Sequence, residues 1–226
     1  MLEAALFDLD GTLLDTAPDL AHAANAMRVE FGMPLLREDV IASFLGKGMD
    51  NLVRRVLAGS LRPEELPDYP PFDLALASFR RNYHAVNGDR AVIFDGVLEG
   101  LQALRVENIR LGVVTNKPTE FTLPLLEQTG LRGFFSTVVC GDTCEHKKPH
   151  PQPVLHACAQ LDVAPGQAVL VGDSINDSLA ARAAGTAILV VPYGYNEGRD
   201  IHSLDVDAIA PTFQAAVEWI LARTGR

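Results

Sequence analysis

The fold is decided by the stretch Ala4-Ala5-Leu6-Phe7-Asp8-Leu9-Asp10-Gly11-Thr12, in which a short apolar run is followed at once by two acids. An apolar run of this length is typical of a strand that is buried on both faces. Residues two apart along a strand point the same way, so we expect Asp8 and Asp10 to face one spot. Two ionised carboxylates this close repel each other, and a hard divalent cation between them would remove the conflict.

Further apolar runs resemble the first and are separated by segments long enough for helices. They cover residues 111–115, 137–140, 168–171 and 187–191. Strands that alternate with helices predict an α/β fold, here a Rossmann-like parallel sheet with right-handed crossovers. Ligands of such sheets bind outside the carboxyl ends of the strands, which is where the two acids lie.

Residues 16–89 break this alternation, because they contain no convincing strand and their apolar residues recur at helical spacing. We therefore predict an all-helical cap that is inserted into a core made of residues 1–15 and 90–226. The start Thr16-Ala17-Pro18-Asp19 has capping-box spacing and a proline in the first turn. The cap leaves and re-enters the core close to the acidic pair, so it is placed to act as a lid.

Composition limits the classes of function. Of the 226 residues 48% are hydrophobic and 21% charged, which is typical of a globular protein. The formal net charge of -10 argues against nucleic acid or an anionic membrane as a partner. No run approaches a membrane-spanning length, and no secretory or transit segment is recognisable, so we expect a cytoplasmic protein. Cys140, Cys144 and Cys158 lack the spacing of a disulfide framework or a zinc site.

Polar side chains also follow other predicted strands. Thr115 and Asn116 end the second strand, Asp173 follows the fourth, and Lys147-Lys148-Pro149 lies between the third and the fourth. Parallel strands bring these ends to one edge of the sheet. Carboxylates there would bind Mg²⁺, while a hydroxyl, an amide and a lysine would stabilise the oxygens of a phosphoryl group in transfer.

Together these segments resemble the four motifs of the haloacid dehalogenase superfamily, in its phosphatase branch with a small helical cap. The motifs are DxDGT from Asp8, Thr115-Asn116, Lys148-Pro149 and GDSxND from Gly172. The resemblance implies that Asp8 is a nucleophile that forms an aspartyl-phosphate, and that Asp10 is first a general acid and then a base. It also implies that Mg²⁺ is held by Asp8, Asp173 and the backbone carbonyl of Asp10, and that Thr115, Asn116 and Lys148 hold the phosphate.

Some assignments have a second reading. Asp177 and Ser174 either support the metal, as ligands or by hydrogen bonds to its ligands, or form a capping box at the start of a helix. Lys147 and Lys148 could form a solvated pair, but Lys148 precedes Pro149 as the family lysine does. The segment Gly46-Lys47-Gly48 either meets a substrate carboxylate or is an ordinary turn between helices.

The substrate is predicted from two further segments and from the run Thr115-Asn116-Lys117-Pro118. Phe44-Leu45-Gly46-Lys47-Gly48 and Val191-Pro192-Tyr193-Gly194-Tyr195-Asn196 resemble the phosphoglycolate phosphatases within the superfamily, and the run from Thr115 resembles the same group of phosphatases. The resemblance implies hydrolysis of a small phosphate ester, 2-phosphoglycolate, by a monomer or a dimer. The alternatives are a phosphatase or phosphomutase for another small ester such as a sugar phosphate, and a non-catalytic phosphate-binding module of the same fold. Asp10 disfavours a dehalogenase, because it supplies the acid that a phosphate ester needs.

Overall fold

The computed structural model describes residues 1–225 and shows strands alternating with helices over most of the chain. The strands are β1 (Ala4–Phe7), β2 (Leu14–Asp15), β3 (Val92–Ile93), β4 (Arg110–Val114), β5 (Thr137–Val139), β6 (Ala168–Gly172), β7 (Ala187–Val190) and β8 (Ala208–Ile209). The helices are α1 (Ala17–Glu30), α2 (Glu38–Ala42), α3 (Met49–Ala58), α4 (Phe72–Val86), α5 (Val97–Val106), α6 (Thr119–Gln128), α7 (Gln152–Gln160), α8 (Ile175–Ala184) and α9 (Phe213–Leu221).

A six-stranded sheet, parallel throughout, forms the centre of the molecule in the order β5-β4-β1-β6-β7-β8. Strand β1 lies inside it, where Leu6 is opposite Gly112 of β4 on one side and Leu170 of β6 on the other. The predicted Rossmann-like α/β sheet is confirmed, together with all five predicted strands. Strand β8 was not predicted, because two residues are too short to give a recognisable apolar run.

Alternate residues of β1 pack into different clusters on the two faces of the sheet. Phe7 lies in one cluster with Leu101 of α5 and Phe213 of α9. Leu6 lies in another with Val154 of α7 and Ala180 of α8. Burial on both faces explains why the run carries no polar side chain until the strand ends at Asp8.

Helices α1 to α4 fill the segment between β2 and β3. They share a cluster of buried residues that includes Met27, Val53, Phe79 and Tyr83, and Phe121 of α6 joins it. Strands β2 and β3 pair antiparallel, with Leu14 opposite Ile93, so the two chain crossings lie side by side. The helical character of this segment agrees with the sequence, and the domain limits 1–15, 16–89 and 90–226 stay a prediction.

The predicted capping box at the start of α1 is wrong. Thr16 is the N-cap residue, but its side chain caps no backbone N–H of the helix. The Thr16 hydroxyl instead donates to Asp10 Oδ1 over 2.7 Å. Asp19 turns away from the helix end and accepts the N–H groups of Gly88 and Arg90 at 2.9 Å each. Both polar groups thus connect α1 to neighbouring segments, whereas the proline in the first turn is present as predicted.

Within residues 1–225 neither a membrane-crossing helix nor a disulfide is found. No helix in that range is long and apolar enough to cross a bilayer. Cys140, Cys144 and Cys158 are free thiols, and Cys140 and Cys158 are buried.

The contact between α5 and α9 gives a first prediction. A Cβ on Gly100 would lie 2.7 Å from Phe213 Cε1 and 2.7 Å from Val217 Cγ2. We expect Gly100→Ala to lower the free energy of unfolding by about 1–3 kcal/mol, because α9 must move away from α5. Urea unfolding measures the change. Gly133→Ala is the matched control, since a Cβ there meets nothing within 4 Å; equal stability of the two variants would contradict the close packing.

Candidate active site

Three neighbouring strands bring the predicted residues to one edge of the sheet. Asp8 follows β1, Thr115 follows β4 and Asp173 follows β6, and these strands are adjacent. The ladder continues one residue beyond two of these strands, because Asp8 N–H donates to Val171 O and Thr115 N–H to Val139 O, both over 2.9 Å. The backbone of the sheet therefore fixes where these side chains start.

An acidic cluster lies at this edge. Carboxylate oxygens of Asp8, Asp173 and Asp177 all come within 4.8 Å of one another. Burial raises the pKa of Asp8 to about 6, against the opposing charge of Lys148. Burial, followed by the charges of Asp177 and Asp8, raises the pKa of Asp173 well above its ordinary value. Three carboxylates crowded together at a buried site form a donor set suited to a hard divalent cation.

Lys148 is the lysine that enters this cluster. Its Nζ lies 3.1 Å from Asp8 Oδ1 and 2.6 Å from Asp177 Oδ1, and it donates to Val114 O over 2.6 Å. The side chain is buried, whereas Lys147 is exposed. The structure thus places Lys148 where the sequence expected the family lysine, and it leaves Lys147 at the surface.

Asn116 holds Lys148 in place through the backbone. Its Oδ1 accepts Lys148 N–H and its Nδ2 donates to Lys148 O, each over 2.9 Å. The Asn116 amide group therefore positions the lysine. The Thr115 hydroxyl accepts Lys117 N–H over 3.2 Å, which leaves its own hydrogen available to a ligand.

Asp177 combines the two readings that its sequence allowed. Its Oδ2 accepts Ser174 N–H over 3.1 Å and Ser174 Oγ–H over 2.7 Å at the start of α8, so it begins that helix. Its Oδ1 accepts from Lys148 inside the acidic cluster. Whether Asp177 also contacts a metal stays a prediction.

Asp10 differs from the prediction. The sequence placed its carboxylate beside that of Asp8 on one cation, but it lies outside the acidic cluster. Its Oδ1 accepts from Thr16 Oγ1 over 2.7 Å and from Lys117 Nζ over 3.0 Å. The reason is that β1 ends at Phe7, so the alternation of a strand does not extend to Asp10.

Lys117 is a buried residue of the site to which sequence reasoning assigned no role. Its Nζ contacts Asp10 and donates to the Tyr83 hydroxyl of α4 over 2.5 Å. Burial lowers its pKa, but the charge of Asp10 and the bond to Tyr83 outweigh burial, so the pKa is raised and the ammonium stays charged. Its position two residues after Thr115, at the same sheet edge, is the signal that could have identified it.

A cavity joins these groups to the cap helices. The cavity has a volume of about 50 Å³. Because ~10–15 Å³ is enough to hold one water molecule, a cavity of this size suits a compact ligand. From the sheet edge and the loop behind it come Asp8, Asp10, Thr115, Asn116, Lys117 and Pro118. From the helical segment come Leu20, Leu45, Gly46, Gly48, Met49, Leu52, Phe79 and Tyr83.

Lys47 lies beside this cavity and pairs elsewhere. It is not among the lining residues, although Gly46 and Gly48 on either side of it are. Its Nζ lies 3.4 Å from Glu197 Oε1, and the buried Arg55 donates to the same oxygen over 2.6 Å. The predicted contact of Lys47 with a substrate carboxylate stays a prediction.

The loop after β7 closes the other side of the site. Tyr195 N–H donates to Asp173 Oδ2, and the Tyr195 hydroxyl donates to Asp15 while accepting the N–H groups of Thr16 and Ala17. A Cβ on Gly194 would lie 2.3 Å from Asp173 Oδ2, so only glycine allows this approach. Tyr195 stood in the segment that carried the family resemblance, but nothing in that segment indicated these bonds.

A family model described as "Haloacid dehalogenase-like hydrolase" matches residues 5–191. The chain belongs to this family. Its curated relatives include phosphoglycolate phosphatases of Nitrosospira multiformis, 48% identical over 97% of this chain and 96% of the relative, and of Thiobacillus denitrificans, 46% identical over 95% and 94%. The sequence resemblance to the haloacid dehalogenase superfamily is confirmed.

A solved structure gives the same result for the fold. A protein of Haemophilus somnus described as a predicted phosphoglycolate phosphatase superposes with a TM-score of 0.90 at 32% identity, over 96% of this chain and 97% of that one. With such relatives over nearly its whole length, this member of the haloacid dehalogenase-like hydrolases is a phosphatase that acts on phosphoric monoesters.

The raised pKa of Asp8 predicts how stability depends on pH without metal. The folded protein holds the Asp8 proton more tightly than the unfolded chain does, so protonation of Asp8 stabilises the fold. This stabilisation is complete below about pH 4 and is lost as the pH rises through about 6. In EDTA we expect the free energy of unfolding of Asp8→Asn, relative to that of the wild type, to rise by about 1–3 kcal/mol when the pH is raised from about 5 to about 8. Urea unfolding at both pH values measures it, and a constant difference would contradict the raised pKa.

Proposed function

We propose that this phosphatase is a Mg²⁺-dependent enzyme that hydrolyses 2-phosphoglycolate to glycolate and phosphate through an aspartyl-phosphate on Asp8. The observation that carries the proposal is the compact cavity in which Asp8 and Asp10 lie beside a buried ammonium group. The names of the relatives at 46% and 48% identity support the same substrate.

Asp8 is proposed as the nucleophile because it is the carboxylate of the acidic cluster that also lines the cavity. Lys148 at 3.1 Å favours its ionised form. One Asp8 oxygen attacks phosphorus, a P–O bond to Asp8 forms, and the bond to the ester oxygen breaks with its electron pair going to that oxygen.

Asp10 is proposed as the general acid and base. It lines the same cavity but takes no part in the acidic cluster, so its carboxyl group is placed to reach the leaving oxygen. A protonated Asp10 gives its proton to the departing glycolate. The resulting carboxylate then takes a proton from water, which attacks phosphorus and releases phosphate from Asp8.

Mg²⁺ fits the donor set, since Asp8 and Asp173 offer hard oxygens at one place and the backbone carbonyl of Asp10 follows two residues after Asp8. Asp177 is proposed to support the metal site without binding the metal, because its oxygens accept hydrogen bonds from Lys148 and Ser174. When bound, Mg²⁺ supplies positive charge to the phosphoryl oxygens. Thr115 would donate to these oxygens, and the ammonium of Lys148, 3.1 Å from Asp8 Oδ1, would add positive charge beside them, with Asn116 holding the lysine.

A phosphate-release screen over small phosphate esters, with Mg²⁺ and with EDTA, tests the proposal. We expect the highest kcat/KM for 2-phosphoglycolate and no release in EDTA. A higher kcat/KM for a sugar phosphate would show that the substrate is a sugar phosphate and not 2-phosphoglycolate. Conversion of one hexose phosphate isomer to another would indicate a phosphomutase. Binding of Mg²⁺ and phosphate without any phosphate release would indicate a non-catalytic module.

The covalent step makes a separate prediction. Asp8→Asn should lower kcat by at least about 10³-fold, because an amide is a poor nucleophile towards phosphorus. Acid-quenched wild-type enzyme should retain label from a ³²P-labelled ester, and the variant should not. Asp162→Asn is the matched control, since Asp162 is exposed in the loop that precedes β6, away from the carboxyl ends of the strands. An active Asp8→Asn variant, or one that still takes up label, would refute the mechanism.

A further inference from the structure

We propose that Lys117 binds the carboxylate of the substrate and thereby selects phosphate esters that carry a carboxylate on the carbon next to the ester oxygen. This inference rests on the proposed function and names the residue that sets the specificity. Lys117 takes the place that the sequence had suggested for Lys47.

The distance from Lys117 to Asp10 supports this role. Lys117 Nζ lies 3.0 Å from Asp10 Oδ1, and Asp10 is proposed to reach the ester oxygen. In phosphoglycolate the carboxylate carbon follows that oxygen by two bonds, roughly 2.5 Å. A cation in contact with the general acid therefore lies at the right distance for the carboxylate.

The charges around the cavity point to the same residue. Among its lining residues in the described chain, Asp8, Asp10 and Lys117 are charged, and Lys117 is the cation. Lys148 directs its ammonium group to Asp8, Asp177 and Val114 O, which are as many acceptors as it has hydrogens. Lys117 contacts Tyr83 and the two oxygens of one carboxylate, Asp10, over 3.0 and 3.3 Å, and unlike Lys148 it lines the cavity, so a ligand there can take over a contact from Asp10.

The apolar side of the cavity makes a cation necessary. Leu20, Met49 and Phe79 line it on the cap side, and a carboxylate buried among them without a partner would be strongly disfavoured. The start of α3 lies on the same side, where Gly46 and Gly48 face the cavity and no side chain of the described residues caps the helix. Its positive end adds to the attraction of Lys117 for a carboxylate.

Lys47 is the competing residue, and its position is less suitable. Its side chain is 35% exposed and pairs with Glu197, and it does not line the cavity. A second competing role belongs to Lys117 itself, which could serve only to hold Asp10 and to bind the cap through Tyr83. These alternatives differ in what they predict for substrates with and without a carboxylate.

The test compares phosphoglycolate with hydroxyethyl phosphate, which has the same chain length but no charge beyond its phosphate. We expect Lys117→Met and Lys117→Gln to lower the ratio of the two kcat/KM values by at least about 30-fold. A residue that acts only through Asp10 would lower both values equally and leave the ratio unchanged, and that result would overturn the proposal.

Two matched controls complete the design. Tyr83→Phe removes the hydrogen bond to Lys117 but keeps its charge, so the ratio should stay within about threefold of wild type. Lys47→Met removes a neighbouring cation and should have as little effect on the ratio. Loss of the preference in Lys47→Met, with the preference kept in the Lys117 variants, would assign the carboxylate to Lys47 and refute the role of Lys117.

A measurement on the wild type keeps the test independent of folding. The phosphate ester of the acid one carbon longer moves the carboxylate away from Lys117, so we expect its kcat/KM to fall at least about tenfold below that of phosphoglycolate. Equal values would refute a contact beside the general acid. If the wild type prefers hydroxyethyl phosphate, both the proposed substrate and the role of Lys117 are contradicted. If the preference for phosphoglycolate is lost only in Lys47→Met, the role of Lys117 is contradicted but the proposed substrate is not.

Discussion

The site depends on burying acidic groups beside one another at the end of a parallel sheet. Asp8, Asp173 and Asp177 meet there with almost no exposure to water. Such a cluster persists only because cations and backbone donors are built in around it. Lys148 lies between Asp8 and Asp177, and Tyr195 N–H reaches Asp173. The acids and their partners come from distant parts of the chain, so the complete fold is needed to hold them.

Acidic groups that need cationic or hydrogen-bonding partners also connect the helical segment to the sheet. Asp10 is bound from both sides, by Thr16 at the start of α1 and by Lys117, which in turn bonds Tyr83 of α4. On the opposite side Arg55 of α3 pairs with Glu197 in the loop after β7. Polar bonds therefore join the helices to the catalytic edge alongside the apolar contact of Phe121, and such bonds can exchange with a substrate or with water.

The sequence predicted the parts of this arrangement that depend on local pattern. Five strands, the order of polar residues at their ends and the buried Lys148 followed from apolar runs and motifs. Three features did not follow. Thr16 has the spacing of a cap, but its hydroxyl bonds Asp10 in the folded protein. The carboxylate of Asp10 lies outside the acidic cluster that contains Asp8, because β1 ends earlier than the alternation assumed. The role of Lys117 depends on Tyr83, a residue of another helix, and no spacing along the chain reveals such a contact.

The balance of charge suggests an order of binding. When the carboxylates of Asp8, Asp10, Asp173 and Asp177 are all ionised, they exceed the two ammonium groups of Lys117 and Lys148 by two negative charges. A site with this excess attracts a divalent cation and repels an anionic ester. With the cation in place the excess is cancelled, and the positive charge of Lys117 beside the cavity then favours the anion. Each ligand must raise the affinity for the other by the same factor, because the coupling between two binding events is reciprocal.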